Sequence, residues 1–168
     1  MKYLKERNNW ISSSTIGSPV KLDYKSSDKI TYSKHKVTLS MGGKIVEVLA
    51  KFDTGAKSSS IDFSVAQKLG VNQNLLDKCK ELDDIKDIPL TITKVEQEKL
   101  EKDWTDKLKS EFPEVSYAKI VKSSSGVSLR AFVPLQLSYN GRSINTNVNL
   151  RNRKGLTCLM LVGLDDMV

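Results

Sequence analysis

Displaced by 98 positions, the chain falls on a second copy of one of its own patterns. Val37 lies on Leu135, Leu39 on Leu137, Ser40 on Ser138, Gly43 on Gly141, Lys44 on Arg142, Val46 on Ile144, Ala50 on Val148 and Phe52 on Leu150. In each copy apolar and polar residues alternate up to a glycine and then alternate again, which is the pattern of a β-hairpin with a tight turn. Two such hairpins must each bury one face. A pseudo-twofold pair closed into a small barrel buries both, with inward and outward residues alternating along every strand. The expected fold is therefore mainly β, a small closed barrel.

The barrel pattern does not use the whole chain. Residues 1–35 are polar and rich in Ser, Lys and Asn, and read as an extended N-terminal arm that docks through Leu4 and Trp10. Residues 36–168 read as the domain, with a helical insertion at about 71–113. Within the insertion, Thr93 and Glu96 form a capping box, and Leu100, Trp104, Leu108 and Phe112 recur every four residues before Pro113. That spacing predicts an amphipathic helix of about five turns. A shorter helix is expected from Ser64, as N-cap, to a stop at Gly70. Strand patterning resumes at Tyr117–Val121 and continues through Val127–Leu137, Ser143–Leu150 and Thr157–Val162.

Residue counts narrow the chemistry. His35 is the single histidine and Cys79 and Cys158 are the two cysteines, far apart. Two-histidine zinc motifs, four-thiolate sites and a disulfide framework are excluded, and Ser-His-Asp triads nearly so. No metal and no cofactor is expected, and carboxylates are left as the catalytic groups. The net charge of +7 permits an acidic partner, but the lysines are scattered, so a solvated basic surface is expected rather than a nucleic-acid site. No run is apolar enough to span a membrane, and the basic N-terminus lacks the apolar core of a secretory signal.

The segment Ala50-Lys51-Phe52-Asp53-Thr54-Gly55-Ala56 places a carboxylate directly after an apolar strand. Asp53 would supply the acid/base oxygen, Thr54 a hydroxyl that fixes the loop, and Gly55 the room for two backbones to approach. Adjacent carboxylates cannot both ionise, so a pair shares a proton and activates a water between them. Asp53-Thr54-Gly55-Ala56, followed by Ser59, Ile61, Ala66 and Leu69-Gly70, resembles the sequence after the catalytic aspartate of retropepsins. Leu161-Val162-Gly163-Leu164-Asp165 resembles the family's second signature, placed after the last barrel strand.

Arg130, Val133, Leu135, Leu137, Gly141-Arg142, Val148, Leu150, Arg153 and Leu161-Val162-Gly163 carry a closer resemblance, to the retropepsin-like family known as ATP-dependent zinc proteases. The resemblance spans roughly Val37–Gly70 and Ala118–Asp165. It departs from that family at Leu164, where Arg is usual, and in having no zinc ligand set. With Val168 last, the dimerising elements that retroviral proteases carry after the closing motif are also expected to be missing.

The resemblance implies a retropepsin-like acid-protease barrel whose catalytic residues are Asp53, Thr54 and Gly55. Ala56, Arg130 and Arg153 are the candidate substrate contacts. For the two arginines the choice lies between holding an acidic group and forming an ordinary surface ion pair. Arg151 stands in the place of Asp53 in the second copy, so an aspartate pair requires a homodimer. The leading expectation is an aspartic peptidase acting on a peptide or isopeptide bond. The contrasting one is a non-catalytic assembly module, for example of a phage particle, bound to neighbouring subunits. Localisation is expected to be cytoplasmic, or the virion if phage-encoded.

Overall fold

The computed structural model describes residues 33–83, 88, 91–123 and 126–167. The arm, with Leu4 and Trp10, lies outside the described residues apart from Ser33, Lys34 and His35, which belong to the first strand. In chain order the elements are β1 (Ser33–Met41), β2 (Lys44–Phe52), β3 (Ser60–Asp62), α1 (Phe63–Lys68), α2 (Gln73–Asp83), α3 (Lys94–Glu111), β4 (Tyr117–Ser123), β5 (Gly126–Tyr139), β6 (Arg142–Arg151), β7 (Met160–Val162) and a 3-10 turn (Leu164–Asp166).

Both hairpins form where the alternation places them, and turn chemistry fixes their register. β1 and β2 are joined by Gly42 and Gly43 at φ 54° and 84°, β5 and β6 by Asn140 and Gly141 at φ 52° and 74°. Two successive positive φ angles define the turn that matches strand twist, and Gly-Gly and Asn-Gly are the pairs that tolerate it. Inward residues Val37, Leu39, Val48 and Ala50 from one hairpin and Val133, Leu135, Leu137, Val148 and Leu150 from the other fill one core.

Six strands close the barrel in the order β1, β2, β7, β3, β6, β5, and β1 returns to β5 through Thr38–Ser40 against Gln136–Ser138. Leu39 pairs with Leu137, its own counterpart in the repeat, so the pseudo-twofold axis passes between them. The hairpins are also interlocked. β2 pairs in parallel with β7, the strand that follows the second hairpin, and β6 pairs in parallel with β3, the strand that follows the first. β3 and β7 lie antiparallel side by side.

The insertion covers what the barrel leaves open. α2 buries Leu75, Leu76, Cys79 and Leu82, and α3 buries Leu108, with Leu100, Trp104 and Phe112 packed against the same core. β4 ends the sheet, and α3 caps its free edge with side chains. Thr105 Oγ1 accepts from Ala118 N–H at 2.8 Å and Glu101 Oε2 accepts from Ile120 N–H at 2.8 Å. Four residues of helix rise about 6 Å, close to the spacing of alternate strand residues, so residues four apart on α3 meet residues two apart on β4. An exposed edge that would invite another strand is thereby blunted. No helix among the described residues is long and apolar enough to cross a membrane.

Candidate functional site

β2 runs through Ala50 into Phe52 and delivers Asp53 at its end, beside the end of β7: Asp53 N–H donates to Val162 O at 3.0 Å. Asp53 then turns back on itself. Its Oδ1 accepts from Gly55 N–H at 2.8 Å, and its carbonyl accepts from Ala56 N–H at 3.1 Å. Asp53 is half-buried, and among the described residues its Oδ2 accepts no hydrogen bond. Thr54 and Gly55 are exposed and Ala56 is half-buried.

The two sequence signatures meet here, 100 or more residues apart in the chain. Leu164 N–H donates to Ala56 O at 2.8 Å and Asp165 N–H to Lys57 O at 2.9 Å, so the closing turn lies along the aspartate loop. Gly163 sits at the tightest point. A Cβ there would lie 2.6 Å from Ser58 O and 2.7 Å from Lys57 C and O, so only glycine lets the two backbones approach. Lys57 and Asp165 add an ion pair at 3.0 Å, but both side chains are well exposed and the pair contributes little.

Arg130 and Arg153, candidate substrate contacts in the sequence, are buried at 6% and 4% exposure rather than lying on the surface. Arg130 Nε donates to Ser128 Oγ at 2.9 Å and its guanidinium to Asn149 Oδ1 at 3.2 Å. Arg153 Nε donates to Cys158 O at 3.0 Å, and its guanidinium also reaches Ser60 Oγ. Burial, and then the charge of Arg151, pull the Arg153 guanidinium below its ordinary value. Arg153 N–H donates to Asp62, which also accepts from Ser64 N–H at 2.9 Å and Ser64 Oγ at 2.6 Å. Asp62, not Ser64, is thus the N-cap of α1. Burial raises the Asp62 carboxyl, but the bonds from Ser64 and Arg153 and the Arg153 charge outweigh it and hold the group below the ordinary range.

The structure also changes which residue answers to Asp53 across the pseudo-twofold. β6 has ten residues where β2 has nine, so the loop after it is displaced by one. Asn152 Oδ1 accepts from Lys154 N–H at 2.9 Å, repeating the turn that Asp53 makes with Gly55. The counterpart is Asn152 rather than Arg151, and it is still not a carboxylate.

Phe52, immediately before Asp53, is packed edge-on by His35 at 5.2 Å and by Tyr139 at 5.0 Å between ring centroids. Burial lowers the His35 pKa to about 4. A histidine held neutral in the folded state stabilises it fully above the ordinary pKa near 6.5, and that contribution is lost as pH falls from there toward 4, because only the unfolded chain takes up the proton readily. The melting temperature is therefore expected to decline between pH 6.5 and 4, and to decline less in His35→Gln. Asp62, whose folded pKa is depressed, adds a separate loss at lower pH, beneath the ordinary carboxylate range. Thermal melts of both proteins at half-unit pH steps check this. Identical slopes would show that His35 is not held neutral.

His35, Cys79 and Cys158 lie on β1, on α2 and ahead of β7, and among the described residues no three His, Cys, Asp or Glu side chains converge. This donor set does not fit a zinc ion. No family model, no curated protein and no solved structure matches the chain.

Proposed function

We propose that the chain is a retropepsin-like aspartic peptidase that hydrolyses a peptide or isopeptide bond as a homodimer, with Asp53 supplied by each copy. The observation that carries this reading is the state of Asp53. One carboxylate oxygen is held by Gly55 N–H while the other accepts nothing among the described residues, on a loop clamped by the Gly163 turn. A fixed oxygen orients the group, and an uncommitted one is available to water. Two such carboxylates share a proton, so that one accepts the proton of the attacking water and the other protonates the substrate carbonyl or leaving amine. Thr54 and Gly55 serve as the loop that carries the pair, and Ala56 lies next to it as a substrate contact.

The test is to mix wild-type chain with Asp53→Asn chain in equal amounts, let subunits exchange, and measure cleavage of an unfolded protein substrate. If each site needs two aspartates, random pairing leaves about half of the wild-type chains in active dimers, and activity falls to about half. Unchanged activity would mean that one chain carries a whole site, and the dimeric reading would fail.

A second reading is favoured by Ile45 and Leu49, exposed at 70% and 43% on the outward face of β2. Apolar residues placed alternately on a solvent face suit a surface that packs on another subunit. The chain would then be a non-catalytic assembly module, as in a phage particle, and no hydrolysis would be found in any preparation.

A further inference from the structure

Asp166 is 3% exposed and, among the described residues, forms no ion pair. Its two carboxylate oxygens are divided between two hydroxyls: Thr146 Oγ1 donates to Oδ1 and Ser59 Oγ donates to Oδ2. Its own carbonyl accepts from Tyr139 OH at 2.7 Å. A buried carboxylate whose partners among the described residues are two hydroxyls is costly to build, because each oxygen must be satisfied in place.

Ser59 passes the constraint on. Its Oγ accepts from Gly163 N–H at 3.0 Å, and its carbonyl accepts from Asn149 N–H at 3.0 Å and Asn149 Nδ2 at 2.9 Å. Asn149 in turn receives the buried Arg130 guanidinium. One buried network therefore runs from an anion, Asp166, to a cation, Arg130, and the segment after Asp53 is threaded through its middle. Gly163 follows Val162, whose carbonyl takes the Asp53 amide, and precedes Leu164, whose amide takes the Ala56 carbonyl. The turn that Asp166 fixes through Ser59 thus holds the aspartate loop at both ends.

We infer that Asp166 is a positioning residue for Asp53, acting through Ser59 and the Gly163 turn. The purpose of that positioning rests on the peptidase reading, but the mechanical link does not. Removing the carboxylate frees the Ser59 hydroxyl to turn away from Gly163, and the turn loses its tie to the core. An amide at the same position keeps one acceptor oxygen for Ser59 and presents its NH2 to Thr146, whose hydroxyl accepts it.

The experiment compares wild type, Asp166→Ala, Asp166→Asn and Ser59→Ala by amide hydrogen exchange and by peptide hydrolysis. Exchange is read at Gly55 and Gly163 against Ala118 and Ile120, whose amides are bonded to α3 at the far edge of the sheet. In Asp166→Ala and Ser59→Ala, Gly55 and Gly163 should exchange about tenfold faster while Ala118 and Ile120 are unchanged, as expected for local opening. Asp166→Asn should stay close to wild type. In hydrolysis kcat should fall roughly tenfold in the alanine variants with little change in KM, because a misplaced carboxylate affects the chemical step. Equal acceleration at all four amides, or none at Gly55, would overturn the inference and leave Asp166 as a general stabiliser. Should Asp166→Ala not fold, Ser59→Ala, which deletes a single hydroxyl, decides the matter. If wild type cleaves nothing, the peptidase reading falls alone, since the exchange pattern does not depend on it.

Discussion

Asp53→Asn is expected to lower peptide hydrolysis by at least about a thousandfold while shifting the melting temperature by only a few degrees. The asparagine carbonyl can still accept from Gly55 N–H, so the turn that shapes the loop survives with a neutral bond in place of a charge-assisted one, a difference of about 1 kcal/mol. What the amide cannot do is accept and return a proton as a general base and acid at neutral or acid pH. Shape and chemistry are therefore separated in one substitution. Steady-state cleavage of an unfolded protein, with melts of both proteins in the same buffer, makes the measurement. An Asp53→Asn preparation that retains wild-type turnover would end the aspartic-peptidase reading.

Gly163→Ala is expected to be among the most damaging single changes to the fold, by about 3 kcal/mol or roughly 10 °C in melting temperature. The reason is steric. Gly163 has an ordinary φ of −94°, so alanine meets no backbone strain, but its methyl would collide with the backbone at Lys57 and Ser58. Neither can rotate away as a side chain would, because the Lys57 carbonyl is bonded to Asp165 and Ser58 leads straight into β3. Gly155→Ala is the informative comparison. Gly155 has φ 87° with nothing within 4 Å of the added carbon, so its cost is conformational only, about 1 kcal/mol. If the two variants melt together, the close approach at Gly163 is not a constraint on the protein.

The hairpins were legible because everything that defines them is local. Alternation sets the faces, and Gly42-Gly43 and Asn140-Gly141 set the turns. The long helix was legible for the same reason, since Thr93 and Glu96 mark its start and the four-residue stripe its length. The three-residue strands β3 and β7 carry too little pattern to reveal that they exchange partners between hairpins. α2 left a readable trace, with Leu75, Leu76, Cys79 and Leu82 at helical spacing after Asn72, whose side chain accepts from Asn74 N–H. The extra residue in β6 hid Asn152 behind Arg151.

The buried network was harder still. Ser59, Asn149 and Asp166 are residues that usually face water, and only the tertiary fold shows that they are 0%, 1% and 3% exposed. Asp53 is singled out by its neighbours in the chain. Gly55, which holds its Oδ1, and the Gly163 turn were in view as well, but the Ser59–Asp166 link behind that turn was not, because its two residues lie 107 apart in the chain.

The exchange of short strands between the hairpins also governs the order in which the chain can fold. Each hairpin is a local event, completed within microseconds once its residues are available. The parallel pairings are not: β3 waits for β6, and β2 waits for β7, with the loop between Ser59 and Asn149 alone spanning 90 residues. Closing such loops costs entropy before any contact repays it, so the crossings form late and slow the whole reaction. On a ribosome adding roughly 5–20 residues each second, the first hairpin exists for several seconds with β1 on one side of β2 and no strand on the other. During that interval Asp53 ends a strand whose second neighbour has not yet been made, and its loop takes shape only as Val162 and Gly163 arrive.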